Sequence, residues 1–151
     1  MKRPKVNECC AEIAGHCIAS RVRQLNRVMT GLYDEALRKT GMTMNQLNVL
    51  VFVTMHRSPT AGALATYLQM DKSTVSRTIE RMRKDGLLLI REGADARTRE
   101  LRLSPKGEEM IVKAIPYWRK AQKQARKVLG TFRAGAIASA VRTLRTTDFT
   151  A

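Results

Sequence analysis

The run DKSTVSRTIERMRKDGLLLIREGADARTRELRLS, residues 71–104, narrows the possible folds more than any other stretch of the chain. Val75, Ile79 and Met82 recur at helical spacing and form an inner stripe. The opposite side carries Ser73, Thr74, Ser76, Arg77, Arg81 and Lys84. Asp71 stands where an N-cap belongs, and Gly86 where a helix stops. LLLIR and RELRLS then alternate as strands do, and EGADART joins them as a hairpin. The chain must therefore place a polar-faced helix directly before a two-stranded hairpin.

Two short apolar helices precede this unit. MNQLNVLVFVTMH reads as a mostly buried helix, broken at Pro59 in RSPT. TAGALATYLQM reads as the next, with Thr60 able to cap its start. This order of elements makes a winged helix-turn-helix, and the chemistry agrees. A helix fits the major groove, where base edges present distinct donor and acceptor patterns. Ser73, Thr74 and Ser76 lie near the helix start, where such helices meet bases and phosphates. Arg77 and Arg81 are four apart, so they share a face, and each can pair bidentately with guanine or clamp a phosphate. The hairpin is then a wing. Arg97 at its tip suits the negative potential of a narrow minor groove, and Arg99 follows at the foot of the tip. Asp95 would repel DNA; it is read as holding Arg97, or the turn itself, in shape.

Long helices flank the unit. Ile18, Val22, Leu25, Met29, Leu32 and Ala36 step by four and three, which predicts one helix over roughly 8–39, ended by Gly41. Ile111, Ile115, Trp118, Ala121, Ala125 and Leu129 mark a second long helix, in which Pro116 should impose a kink. TFRAGAIASAVRTLR predicts a last helix. The expected fold class is thus mainly α with a small two-stranded β wing: a winged helix-turn-helix lobe plus a helical lobe. An apolar stripe on so long a first helix needs a covering surface, which another chain could supply.

Charge points the same way. The chain's 151 residues carry 28 Lys+Arg against 13 Asp+Glu, a net +15 that favours an anionic partner, nucleic acid or an anionic membrane surface. No apolar run reaches the roughly 20 residues a membrane span needs. MKRPKVNECC is basic but lacks the apolar core of a secretory signal. The odd, clustered cysteines Cys9, Cys10 and Cys17 are not a disulfide framework, and a reducing, cytoplasmic setting fits them best. Two scattered histidines, with no P-loop or dinucleotide fingerprint, give no expectation of catalysis, a resident metal or a cofactor.

The segment from Leu64 to Gly107 resembles the core of the MarR family of bacterial transcription regulators. Asp71, Ser73, Thr74, Val75, Ser76 and Arg77 match the family's helix pattern. Asp95, Arg97, Leu101, Leu103, Ser104 and Gly107 match its wing pattern. GLYDEALRKTGMTMNQLNVL, residues 31–50, is also similar to the family's first-helix end and second-helix start. The resemblance implies a single domain over 1–151, with dimerisation helices near 8–39 and 104–145 and a DNA-binding lobe near 45–103. It implies a homodimer on a pseudo-palindromic double-stranded operator, with half-sites about one helical turn apart. It further implies repression relieved by a small phenolic ligand or by cysteine oxidation. The ligand seat would lie between the dimerisation helices and the DNA-binding lobe.

For the effector, Cys17 is the candidate thiol, with Arg21 one turn on and a nearby cation to depress its pKa. Arg21 is also a candidate anchor for an anionic or aromatic ligand, and Met55 a candidate apolar wall. A small buried cysteine, an interface arginine and a core methionine are the plainer readings of the same residues. One feature stands apart: from Lys113 to Thr147 there are nine Lys+Arg and no Asp or Glu. The rival to a sequence-specific regulator is an architectural protein that binds DNA through charge alone.

Overall fold

The computed structural model describes residues 3–93 and 98–146. Helix α1 (Arg3–His16) and helix α2 (Ile18–Leu37) lead through a short 3-10 turn at Arg38–Thr40 to α3 (Met44–Met55), α4 (Ala61–Leu68) and α5 (Lys72–Lys84). Strands β1 (Leu88–Glu92) and β2 (Arg99–Leu103) follow, and then α6 (Pro105–Thr146). The strands pair antiparallel with Leu88 opposite Leu103 and Glu92 opposite Arg99. The fold is mainly helical with a two-stranded wing, as the sequence predicts.

The predicted single first helix is two. Cys17 takes an extended conformation (ψ 107°) and interrupts it between His16 and Ile18. Arg21 reaches back across the break to donate to the Gly15 carbonyl, one of the acceptors that a helix end leaves open. The other boundaries follow local chemistry. Gly41, at φ 75°, ends the 3-10 turn in the left-handed region. Thr43 caps α3 in a reciprocal box with Gln46, and Thr60 caps α4 by accepting from the Ala63 N–H at 3.1 Å. α6 leaves helical geometry at Gly130 (φ 74°, ψ 162°), which divides it into the two expected helices. Pro116 stays within helical dihedrals, so the non-helical residue lies at the glycine and not at the proline.

Leu37, Leu50, Leu64, Val75, Met82, Leu88 and Leu101 form the centre of one core, which joins the end of α2 to the winged unit and the start of α6. Asp34 ties α2 to α3 by accepting from the Met44 N–H at 2.6 Å. Tyr33 donates to the Gln122 side chain and ties α2 to α6. Of the predicted first-helix stripe, Leu25, Met29, Leu32 and Ala36 are half-buried, whereas Ile18 and Val22 stand 76% and 58% exposed.

Candidate nucleic-acid interface

The interface is built on α5. Val75, Ile79 and Met82 face the core, so the opposite side is held toward solvent. Asp71 fixes where the helix begins. Its carboxylate accepts from the Thr74 N–H at 2.7 Å, the Ser73 hydroxyl at 2.6 Å and the Thr74 hydroxyl at 2.6 Å. Those bonds, the Ser73 hydroxyl first, hold the Asp71 carboxyl well below the usual aspartate range. One consequence is invisible in the sequence. The Ser73 and Thr74 hydroxyls already donate their protons to Asp71, so in this state those two hydroxyls offer an incoming phosphate only lone pairs. Ser76, Arg77 and Arg81 are exposed. Together with Glu80 and Lys84 they line a shallow depression along the outer face of α5.

Gly86, at φ 74°, ends the turn after α5. The Leu87 N–H returns to the Met82 carbonyl at 2.9 Å, and β1 starts directly afterwards. The wing is anchored at both ends. Leu101 donates from its backbone to the Pro59 carbonyl at 2.7 Å, and Thr60 bridges to Glu100. Near the tip, the Gly93 N–H meets the Thr98 carbonyl at 2.7 Å. Ser104 donates to the Gly86 carbonyl at 2.6 Å and accepts from the Gly107 N–H at 2.9 Å, which locks the hairpin, the α5 turn and the start of α6 together. A side chain on Gly107 would sit 2.3 Å from the Leu87 carbonyl oxygen, so only glycine fits without movement. The Ser and Gly of the wing pattern are therefore the joint at its base.

Arg99 lies in a groove between α5 and the hairpin, lined also by Glu80, Arg83, Arg91 and Glu92. The structure thus brings Ser76, Arg77, Arg81 and Arg99 to neighbouring surfaces of one lobe. Asp95 and Arg97 lie outside the described residues. Arg83 and Arg91 were not singled out from sequence. Arg83 pairs bidentately with Glu80 at 2.8 and 2.9 Å, and this raises the Arg83 pKa and lowers that of Glu80. An i,i+3 Glu–Arg pair is the sequence signal that could have marked it.

The three effector candidates do not converge. Met55 is 75% exposed. Arg21 caps the end of α1. Cys17 begins α2, and its thiol pKa is lowered. The lowering comes first from the Ser20 N–H, opposed by burial, with the Ser20 hydroxyl and the Ala19 N–H adding to it. The contributing cation is Arg23, the nearby cation of the expected pair, and Arg21 is not among the causes. The cleft of about 420 Å³ between α2 and α6 is lined by Leu32, Ala36, Tyr117, Arg38, Lys39 and Lys120, among others, and includes none of the three. Among the described residues, no cluster of three His, Cys, Asp or Glu side chains could hold a metal, and no helix is long and apolar enough to cross a membrane.

Comparison with known proteins places this geometry. A family model described as the MarR family matches residues 40–98. The solved structure of the transcriptional regulator MosR from M. tuberculosis, in complex with DNA, is 30% identical, covers 86% of this chain and 94% of its own, and superposes with a TM-score of 0.76. CouR from Rhodococcus jostii RHA1, bound to p-coumaroyl-CoA, shares the fold at a TM-score of 0.74 and 14% identity, over 91% of this chain and 97% of its own. The HTH-type transcriptional regulator BilQ from Clostridioides difficile (strain CD3) is 28% identical over 79 residues, 52% of this chain and 53% of BilQ. The match thus spans about half the length of that curated relative. With the motifs, the winged fold and the MosR likeness in agreement, the chain belongs to the MarR family.

Proposed function

We propose that the protein is a sequence-specific DNA-binding transcription regulator, a homodimer that represses from a pseudo-palindromic operator. One observation carries the reading. The outer face of α5 holds Ser76, Arg77 and Arg81 exposed, on a helix whose start is pinned by Asp71 and whose far end is bolted to a wing. In this reading α5 enters the major groove, Arg77 and Arg81 meet bases or phosphates, and the wing with Arg97 and Arg99 follows the adjacent minor groove. The Ser73 and Thr74 hydroxyls come into play as donors only if they turn from Asp71 toward DNA. The DNA-binding lobe spans about 45–103, and the helices near 8–39 and 104–145 form the dimerisation lobe.

The bare apolar positions support the dimer. Ile18 and Val22 continue the stripe that α6 covers further along α2, and Phe132, Val141 and Leu144 lie exposed beyond Gly130. A second copy offering the same surfaces would bury both sets. The cleft between α2 and α6 is the best seat for a small aromatic anion, since Leu32, Ala36 and Tyr117 provide an apolar floor and Lys39 and Lys120 the countercharge. Two proteins of the same fold respond to such molecules: CouR is bound to p-coumaroyl-CoA in its solved structure, and DNA binding by BpsR of Bordetella bronchiseptica is regulated by 6-hydroxynicotinic acid.

Alanine at Arg77 and at Arg81 tests the DNA reading. Each change should cost about 1–3 kcal/mol of operator binding if the side chain reads a base, and should relax specificity there. Arg97→Ala should cost a similar amount at the minor groove. Operator affinity unchanged in all three variants would reject the assignment of the interface.

A further inference from the structure

The charge that points to DNA does not sit mainly on the lobe that reads it. Residues 44–104, which contain α5 and the wing, hold ten Lys+Arg and six Asp+Glu. Residues 105–147 hold ten Lys+Arg and only two Asp+Glu, both before Lys113. In the first segment of α6, Lys113, Arg119, Lys120, Lys123, Arg126 and Lys127 are all exposed. At 100° per residue they fall within an arc of about 140°. The centre of that arc lies opposite Ala114, Ala121 and Ala125, which are buried. Lys123 has a cation three or four residues away on both sides, at Arg119, Lys120, Arg126 and Lys127. Like charges at that spacing destabilise a helix. Among the described residues, none of the six forms an ion pair. The arrangement costs stability in the free protein and is relieved by a polyanion.

We propose that this outer face of α6 is a second, sequence-independent seat for the phosphate backbone, and that its occupant is a duplex other than the operator. A helix rises 1.5 Å per residue, so the cations lie from about 12 to about 33 Å along α6 from Pro105. α6 packs on α2, α3 and β2, whereas α5 packs on α4 and β1. The basic face and the α5 face thus belong to elements with different packing partners, and a separate segment of duplex can occupy the α6 face without being the one that α5 reads. The apolar positions assigned to the dimer contact lie elsewhere: Phe132, Val141 and Leu144 beyond Gly130, and Ile18 and Val22 on α2. One dimer would then hold two segments of DNA, one by sequence and one by charge. This inference rests on the α5 interface proposed above.

The test is capture of a second duplex. Protein saturated with an immobilised operator duplex is offered a labelled random-sequence duplex across a salt series. The comparison is R119Q/K123Q/K127Q, which changes three exposed residues outside the α5 interface. The wild type should retain the random duplex with a steep salt dependence. The variant should lose three phosphate contacts, and with them about 2.7 units of the log–log salt slope, at unchanged operator affinity. Equal capture by both proteins, or capture by neither, overturns the proposal. So does a variant defect that appears only on a longer operator fragment, which would assign the face to flanking DNA. Capture of an acidic peptide but no second duplex also overturns it. Replacing the immobilised operator with random duplex separates the two claims. α6-dependent pairing of two random duplexes, without operator preference, would sink the α5 reading and leave this one standing.

Discussion

Gly107→Ala puts the joint at the base of the wing under direct load. Gly107 lies in the first turn of α6, and its φ is not in the left-handed region. By helix propensity alone, alanine there should gain about 1 kcal/mol. The added Cβ, however, would lie 2.3 Å from the Leu87 carbonyl oxygen. Ordinary contact requires the two backbones to part by about an ångström. That carbonyl also accepts the Ser104 N–H at 3.2 Å, and Leu87 itself is 5% exposed. Forcing the joint open should cost about 1–3 kcal/mol in packing. Loss of the bond adds about 0.5–1.5 kcal/mol. Set against the propensity gain, the net loss is about 0.5–3.5 kcal/mol, or roughly 1–14 °C in Tm for a chain of this size. Gly31→Ala is the control, since a Cβ there meets nothing within 4 Å and should raise Tm. Thermal unfolding followed by circular dichroism reads both variants. A Gly107→Ala protein as stable as the wild type would refute the claim that this close approach holds the wing.

Ser104→Ala strands the Gly86 carbonyl and the Gly107 N–H in a site where Ser104 is 6% exposed, and should cost about 1–3 kcal/mol in chemical denaturation. Because the Asp71 carboxyl is held below its ordinary pKa in the folded chain, its contribution is present in full above about pH 4 and is lost as pH falls through the lower folded value. Asp71→Asn should therefore flatten the acid side of the Tm–pH curve, and a curve parallel to the wild type would argue against the cap. Cys17 should react with a thiol reagent at neutral pH faster than an ordinary exposed cysteine, because the Ser20 N–H lowers its pKa. Cys17→Ser should remove that fast phase, and its persistence would assign the phase to Cys9 or Cys10.

The elements legible in the sequence were those set by local signals. The α5 cap at Asp71, the stop at Gly86, the cap at Thr60 and the alternation in the wing each depend on a few neighbouring residues. The division of α6 at Gly130 was legible for the same reason. The break at Cys17 was not, because the apolar period from Ile18 onward carries no proline and no left-handed glycine at that point. What closes the break is a side-chain bond from Arg21 to Gly15, visible only in three dimensions. The candidate interface divides likewise. Periodicity placed Ser76, Arg77 and Arg81 on the outer face of α5. It could not show that Ser73 and Thr74 spend their hydroxyl protons on Asp71. Nor could it bring Arg83 and Arg91 into the groove beside Arg99.

The central claim is that the chain reads sequence rather than charge alone. The most direct test is binding of the purified protein to the DNA upstream of its own gene against random DNA of equal length, across a salt series. A regulator of this kind should prefer that DNA by about 10³-fold or more at physiological salt, and lose the preference when Arg77 and Arg81 are replaced. Equal binding to both DNAs, weakened alike and steeply by salt, would reject sequence reading and return the protein to the architectural class.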